Sequence, residues 1–532
     1  MIDKSDRKWF YLLLVGVVFF TTLPYFIALS NQGDKWVFSG FFIGVEDGNS
    51  YLAKMLSGMA GNWLFKTPYT TQPQNGIIAF LPYLLLGKLV HPPAQHIQFV
   101  MLFQLFRWVG IFIYLLGIYQ FTRLFINETK FRFLSLLLAA FGGGLGWLFP
   151  LFGVTTILGT VPLDYYSPET FGFLSLYTLP HLAIARGLMF MGITLYIQNS
   201  NNPVTTKIFQ HLIPGFALFL AGLFQPLNTA IGLILVFLYS ISHLIVLKFD
   251  KQSSEAYLLK LIYVTIPTLP IVLYYGITQF TDPFYKAWTA QNIINSPNPV
   301  HYLIAYAVPI IVIIAHKNNL VKLLKKQEIV FLTIWIPFFL LLAYIPYNLQ
   351  RRFPDGIFIA FIVLMICILE DVRQKYTGKL AIIIGILIIP SSIIIMINGI
   401  MTALNPVEPI FISSQKVNSY EQIGKLVEPS SRIMADYQTG NELPVWTPVY
   451  MAMGHGPESI HLELVKADTN QYFGLSITDT ERLAILEKYN IDYVLKEKGK
   501  ELFPVSGEKL PCYLEIINEG IDFELFRVKN CE

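Results

Sequence analysis

Eleven apolar runs, at roughly 9–29, 97–121, 133–152, 173–197, 207–224, 226–247, 257–278, 299–316, 328–346, 353–371 and 378–401, are each long enough to cross a membrane. A bilayer presents ~30 Å of hydrocarbon, about twenty residues of helix. Inside it each backbone polar group must be satisfied within the segment, so such runs form helices. A twelfth run, 77–90, is shorter and interrupted by Pro82, Gly87 and Lys88. At that length a re-entrant or interfacial helix is as good a reading as a span. The run 9–29 lacks a small-x-small cleavage site and reads as a retained first span.

Charge divides the chain. Residues 1–401 hold 41 charged side chains with a net charge of +11, and residues 402–532 hold 32 with a net charge of −8. The second part, about 24% charged, has the composition of an ordinary globular domain, whereas the first, about 10% charged, does not. A soluble enzyme, a disordered chain and a fibrous one are excluded. The expected architecture is an α-helical polytopic membrane domain over 1–401, with about 11 spans or 12 if 77–90 crosses, and a small soluble α/β domain over 402–532. The acidic tail points away from a nucleic-acid partner.

Loop charge sets the orientation. With the N-terminus inside and 77–90 not crossing, 17 basic residues fall in inner segments, among them Lys207, Lys248, Lys325, Arg373 and Lys375, and seven fall outside. Basic residues gather on the cytoplasmic side, so eleven spans with an extracytoplasmic tail is preferred over twelve with the tail inside. The expected location is the cytoplasmic membrane of a prokaryote.

On that topology the acids and arginines of interest collect at the outer face. The first outer loop, 30–76, carries Glu46 and Asp47, and helical spacing brings Asp47, Tyr51 and Lys54 toward one side. Asp47 or Asn49 caps this helix, or Asp47 is a general base just above the bilayer. Asp164 and Glu169 lie in the outer loop near 153–172, and Asp282 in the loop near 279–298. Arg351 and Arg352 break the positive-inside trend. They bind ordinary lipid headgroups, or they form a guanidinium fork matched to a phosphate. Arg107 and Arg186 sit within spans, where a charge faces a cavity or a partner acid, and His181 shares a helix with Arg186. The run Gly142–Gly146 reads as a helix-packing face.

The tail alternates helical signals at 415–427, 459–472 and 478–489 with strand signals at 432–436, 449–453 and 492–496, and ends in a hairpin, 513–519 and 523–530. Cys512 and Cys531 flank that hairpin; they pair in an oxidising compartment, or a register slip separates them. His455 and Glu458 lie in a polar turn of glycine and proline, where a structural role competes with a catalytic one. No His and acidic pair has metal-ligand spacing, and there is no nucleotide-phosphate loop.

The acidic pair Glu46-Asp47 after the first span, the many spans and the soluble tail resemble the C-type (GT-C) superfamily of polytopic glycosyltransferases, in the bacterial branch near the protein O-mannosyltransferases and aminoarabinose transferases. Leu179-Pro-His181, Phe224-Gln-Pro226, Gln350-Arg351-Arg352-Phe353 and Gly454-His455 with Glu458 look like segments of uncharacterised members. The family's His/Lys-Pro-Pro-Leu element is echoed only by His91-Pro92-Pro93. The resemblance implies a transferase that takes a sugar from a polyprenyl-phosphate donor at the outer leaflet and passes it, with inversion, to a glycan, lipid or protein acceptor. It implies Asp47 as base, with Glu46 beside it, and Arg351 and Arg352 on the departing phosphate, with Arg107, Arg186 and His181 as further donor contacts. Asp164, Glu169, Asp282, His455 and Glu458 are accessory candidates. A divalent metal helps some members and not others. A flippase for lipid-linked saccharides and a glycan polymerase or ligase are the alternatives.

Overall fold

The computed structural model describes residues 2–200, 208–246, 251–372, 377–499, 502–504 and 509–531. The basic positions 207, 248, 373 and 375 lie outside the described residues. Among the described residues, six helices are long and apolar enough to cross a membrane: Arg7–Asn31, Gln95–Thr122, Pro180–Asn199, Pro226–Val246, Tyr257–Thr281 and Gln350–Val372. The pair Gly378–Ile388 and Pro390–Leu404, bent by 47°, adds a seventh if it acts as one span. Ile208–Phe224 and Gln327–Leu342 are shorter apolar helices. This is a multi-pass membrane protein.

Several of the eleven runs are not continuous helices: besides the bent pair, the run at 173–197 divides at Leu179 into Gly172–Thr178 and Pro180–Asn199. The run at 133–152 becomes the helix Thr129–Phe141 and stops where Gly142 turns extended. The glycines that follow therefore form a bend rather than a helix-packing face. The run at 299–316 divides at Tyr306 into Val300–Ala305 and Ala307–Ala315. Pro309 explains the break, because it has no N–H to offer the carbonyl of Ala305 and its ring collides with that carbonyl. The interrupted run at 77–90 forms only Leu81–Gly87, about 10 Å of helix and too short to cross.

The chain forms two compact units. The first comprises Met1–Pro24, Leu105–Ile277 and Ile293–Ile400. Its core contains the helix Ile357–Val372, buried on all sides from Ile357 through Leu369, as expected of a helix apolar around its whole circumference. Trp335, Phe331 and Phe339 of Gln327–Leu342 belong to the same core.

The second unit comprises Tyr25–Gln104, Thr278–Asn292 and Met401–Glu532. Strand β1 (Trp36–Phe38) pairs antiparallel with β2 (Phe411–Ser413). The strands β3 (Arg432–Met434), β4 (Tyr450–Met451), β5 (Tyr493–Glu497), β6 (Leu514–Glu519) and β7 (Phe523–Val528) form one sheet in the order β4-β3-β5-β7-β6. The β4, β3 and β5 pairings are parallel, and β7 runs antiparallel to β5 and β6. Side chains alternate across a strand. Met434, Val494 and Phe526 accordingly join one apolar cluster, while Ile433, Tyr493 and Leu525 join another. The helices Ser414–Leu426, Leu462–Phe473 and Asp479–Lys488 stand close to where periodicity puts them, the last opened by a Thr478–Glu481 capping box. The hairpin keeps its register apart from a bulge between Ile516 and Asn518. Cys512 and Cys531 are joined in a disulfide, with Cα atoms 5.2 Å apart.

Candidate active site

The helix Val45–Met59 of the second unit begins at Gly44, whose left-handed backbone (φ 63°) suits a residue without Cβ. No side chain caps it, so capping explains neither Asp47 nor Asn49. Two close approaches fix its far end. A Cβ on Gly58 would stand 2.0 Å from the Leu84 carbonyl oxygen, and one on Gly87 would stand 1.8 Å from that of Met55. The helices Val45–Met59 and Leu81–Gly87 thus touch backbone to backbone, which the two glycines permit. Asp47, in the first turn, keeps 51% of its side chain exposed; Ser50 and Lys54, on the following turns, are buried.

The turn at 454–458 closes over this helix. Ser459 Oγ accepts the N–H groups of Gly454 and His455 at 3.1 and 3.2 Å. His455 Nε2 lies 3.0 Å from Asp47 Oδ1, and its Nδ1 lies 3.4 Å from Glu458 Oε1. Lys54 Nζ donates to Glu458 Oε1 at 2.6 Å, Ser50 Oγ to the same oxygen at 2.7 Å, and Thr67 Oγ1 to Oε2 at 2.7 Å. The Lys54 ammonium also stands 4.3 Å from the Phe80 ring centroid, a contact that favours a desolvated cation. Two cations and two anions alternate along the chain Lys54, Glu458, His455, Asp47.

This order governs ionisation. Burial works against charge on Glu458, but the Lys54 charge and the His455 contact hold its carboxyl far below the usual range. Burial also disfavours the imidazolium, yet the hydrogen bond to Asp47 and the contact with Glu458 push His455 up to about 9. For Asp47 desolvation is outweighed by the His455 hydrogen bond and charge, which keep the carboxyl below its ordinary value. Burial pulls Lys54 down, with Glu458 opposing. The arrangement offers one ionised, half-exposed carboxylate oxygen on a rigid base of buried charge.

Neighbouring candidates in this unit have structural partners. Glu46 Oε2 accepts the Tyr437 hydroxyl at 2.9 Å. Asp282 caps the helix Pro283–Gln291, accepting from the N–H groups of Phe284 and Tyr285, and also takes Asn75 Nδ2 at 2.9 Å. That helix grips the turn: Trp288 Nε1 and Asn292 Nδ2 donate to the Pro457 carbonyl, and Gln291 Nε2 to that of Ser459.

The first unit holds the remaining candidates. Arg351 and Arg352 end the short 3₁₀ turn Gln350–Arg352 and are half-buried. The Arg351 guanidinium lies 4.9 Å from the Tyr166 ring centroid, and Arg352 Nε lies 3.4 Å from Glu169 Oε1. Arg186 forms a buried ion pair with Asp355, which also accepts Asn228 Nδ2 at 3.2 Å. Arg107 donates to Thr21 Oγ1 and Thr22 Oγ1, each at 2.7 Å. Asp164 is buried in the glycine bend, accepting from Gly144 N at 2.6 Å and Ser391 Oγ at 2.7 Å. His181 is half-buried at the second residue of Pro180–Asn199. Among the described residues, no group of three or more His, Cys, Asp or Glu side chains is placed to hold a metal ion.

No protein-family model and no curated protein matches the sequence. Solved structures do match the fold. The apo structure of ArnT from Cupriavidus metallidurans aligns with a TM-score of 0.51 at 11% identity, covering 96% of this chain and 97% of that one. The oligosaccharyltransferase AglB from Archaeoglobus fulgidus, in complex with an inhibitory peptide and a dolichol-phosphate, aligns at 0.52 with 10% identity, over 93% of this chain and 70% of that one. The same archaeal enzyme tethered to an acceptor peptide aligns at 0.53 with 12% identity, over 92% and 69%. Both neighbours are GT-C membrane glycosyltransferases.

The chain has the GT-C fold. Sequence reasoning missed three kinds of participant. Asp355 stands beside Arg351 and Arg352 at the head of an apolar run, and that position was its one signal. Ser50 and Thr67 join Lys54, which helical spacing does put on the Asp47 side, in binding Glu458 across some 400 residues of chain, a connection no local pattern reports. The helix Pro283–Gln291 had as signal only Asp282-Pro283, an N-cap followed by proline at N1.

Proposed function

We propose that this protein is a membrane glycosyltransferase that moves a sugar from a polyprenyl-phosphate donor to an acceptor hydroxyl, with Asp47 as the base. The observation that carries the reading is the half-exposed Asp47 carboxylate, ionised and fixed by its contact with His455. In a single displacement the acceptor oxygen bonds to the anomeric carbon as the bond to the phosphate oxygen breaks. The electron pair leaves with the phosphate, the acceptor's proton passes to Asp47, and the anomeric centre inverts. The GT-C fold and a neighbour solved with a dolichol-phosphate support a lipid-linked donor. Arg351 and Arg352 are assigned to its phosphate, where a guanidinium fork stabilises the growing negative charge.

The test is transfer of a labelled sugar from a polyprenyl-phosphate donor by purified protein, compared with Arg351→Lys and Arg352→Lys at matched levels. Lysine keeps the charge and loses the fork. Charge-assisted hydrogen bonds contribute ~1.5–3 kcal/mol each, so a roughly ten- to hundred-fold loss is expected. Normal turnover by both variants would make the pair a headgroup anchor. Flipping of the donor without transfer would replace the transferase reading with a transporter.

We propose that the chemistry takes place at the outer face. The Cys512–Cys531 bridge supports this, because disulfides persist in oxidising compartments. Lys286 and Lys325 are both exposed. With the native cysteines replaced, a cysteine at Lys286 should react with an impermeant thiol reagent on intact cells, and one at Lys325 should not. The reverse pattern would put the Asp47 site in the cytoplasm.

A further inference from the structure

We infer that His455 is a positioning residue held as an imidazolium, which keeps Asp47 ionised and aims its outer oxygen, while Glu458 and Lys54 lock the imidazolium in place. This rests on the reading of Asp47 as the base. Geometry carries it. Both ring nitrogens of His455 face carboxylate oxygens, Nε2 at 3.0 Å from Asp47 and Nδ1 at 3.4 Å from Glu458. A neutral imidazole, in either tautomer, would turn one lone pair against a carboxylate. The doubly protonated ring is the form that suits both sides.

The same geometry removes His455 from the list of bases. Nε2 is taken up by Asp47, Nδ1 stands buried 3.4 Å from Glu458, and the side chain is 5% exposed, so the ring has no approach to offer an acceptor hydroxyl. Asp47 has one: its Oδ2 takes no hydrogen bond from the described residues, and its side chain reaches solvent. The groups facing the ring are Asp47 and Lys54 from the helix Val45–Met59, Glu458 from its own turn, and the Tyr69 ring, 5.4 Å away between centroids. The tyrosine stays neutral, since burial and the nearby carboxylates raise its ionisation well above the usual range. Two anions therefore bracket the imidazolium. The elevation of His455 to about 9 agrees with this.

The turn that carries the ring is itself anchored. Trp288, Gln291 and Asn292 donate to backbone carbonyls of Pro457 and Ser459, so they fix where His455 stands through the backbone of the turn.

The experiment has two arms. In the first, protein labelled with ¹⁵N-histidine is titrated in detergent, the His455 signals being assigned by their loss in His455→Gln. Both ring nitrogens should remain protonated at pH 8, and Asp47→Asn should lower the midpoint by a unit or more. A His455 that titrates near 6.5 in the wild type overturns the proposal, whatever the activity. In the second arm, the pH dependence of kcat/KM is followed for wild type and His455→Gln. Without the cation Asp47 should regain an ordinary acidity, so the acid limb should move up in pH while KM changes less than twofold. A loss of kcat with an unmoved acid limb marks a merely structural residue and overturns the proposal. A fully active Asp47→Asn would instead overturn the base assignment, and the histidine titration would still show whether the ion pair exists.

Discussion

Asp47→Asn is expected to lower sugar transfer by ~10²-fold or more while the protein folds and inserts as before. The amide keeps the shape of the carboxyl and a hydrogen-bonding oxygen for His455 Nε2, 3.0 Å away, but it cannot take a proton at any working pH. Asp47 is half exposed, so the cost in stability should be small. Glu46→Gln should cost far less, because Glu46 serves the Tyr437 hydroxyl rather than a buried charge. The check is initial transfer rates at saturating donor for wild type and both variants, at matched protein level. Equal loss in the two variants would point to joint use of the pair, and full activity of Asp47→Asn would remove the base from the mechanism.

The legible part of this fold is the part written in local pattern. Apolar length announced the spanning helices, and period-two alternation placed β3, β5 and the closing hairpin within a residue or two. Breaks inside apolar runs were less legible. Gly142 and Pro309 end helices because of what their backbones cannot do, yet hydropathy counts the residues around them as continuous. The site was legible in its members more than in its connections. Asp47, His455 and Glu458 could each be singled out as polar residues in unusual settings. Their pairing depends on sheet and helix packing within the second unit, which brings residue 455 to residue 47. Lys54 is the clearest case. A lysine on an outer-loop helix looks solvated, and only the structure shows it enclosed by Glu458 and the ring of Phe80.

That enclosure sets the largest stability effect. Lys54→Met should destabilise the second unit by roughly 3–5 kcal/mol, because it strands Glu458 as a buried anion, and Glu458→Gln should do comparable harm by stranding Lys54. The double variant should recover much of the loss, since a buried pair contributes little net stability compared with neutral residues of similar volume. His455 moderates the first case, because the imidazolium beside Glu458 still offsets part of its charge. The sign with pH follows from the direction of the Glu458 shift. Its folded-state value is depressed, so the stability it contributes is fully present above the unfolded-state value of about 4.5. That contribution shrinks as pH falls below this point and vanishes only near the depressed folded-state value. Thermal unfolding midpoints in detergent, read by tryptophan fluorescence at pH 7 and pH 4, should show wild type well above Glu458→Gln at pH 7, with a smaller gap at pH 4. A gap that widens toward acid would mean Glu458 is protonated in the folded protein, and the alternating charges from Lys54 to Asp47 would then have to be redrawn.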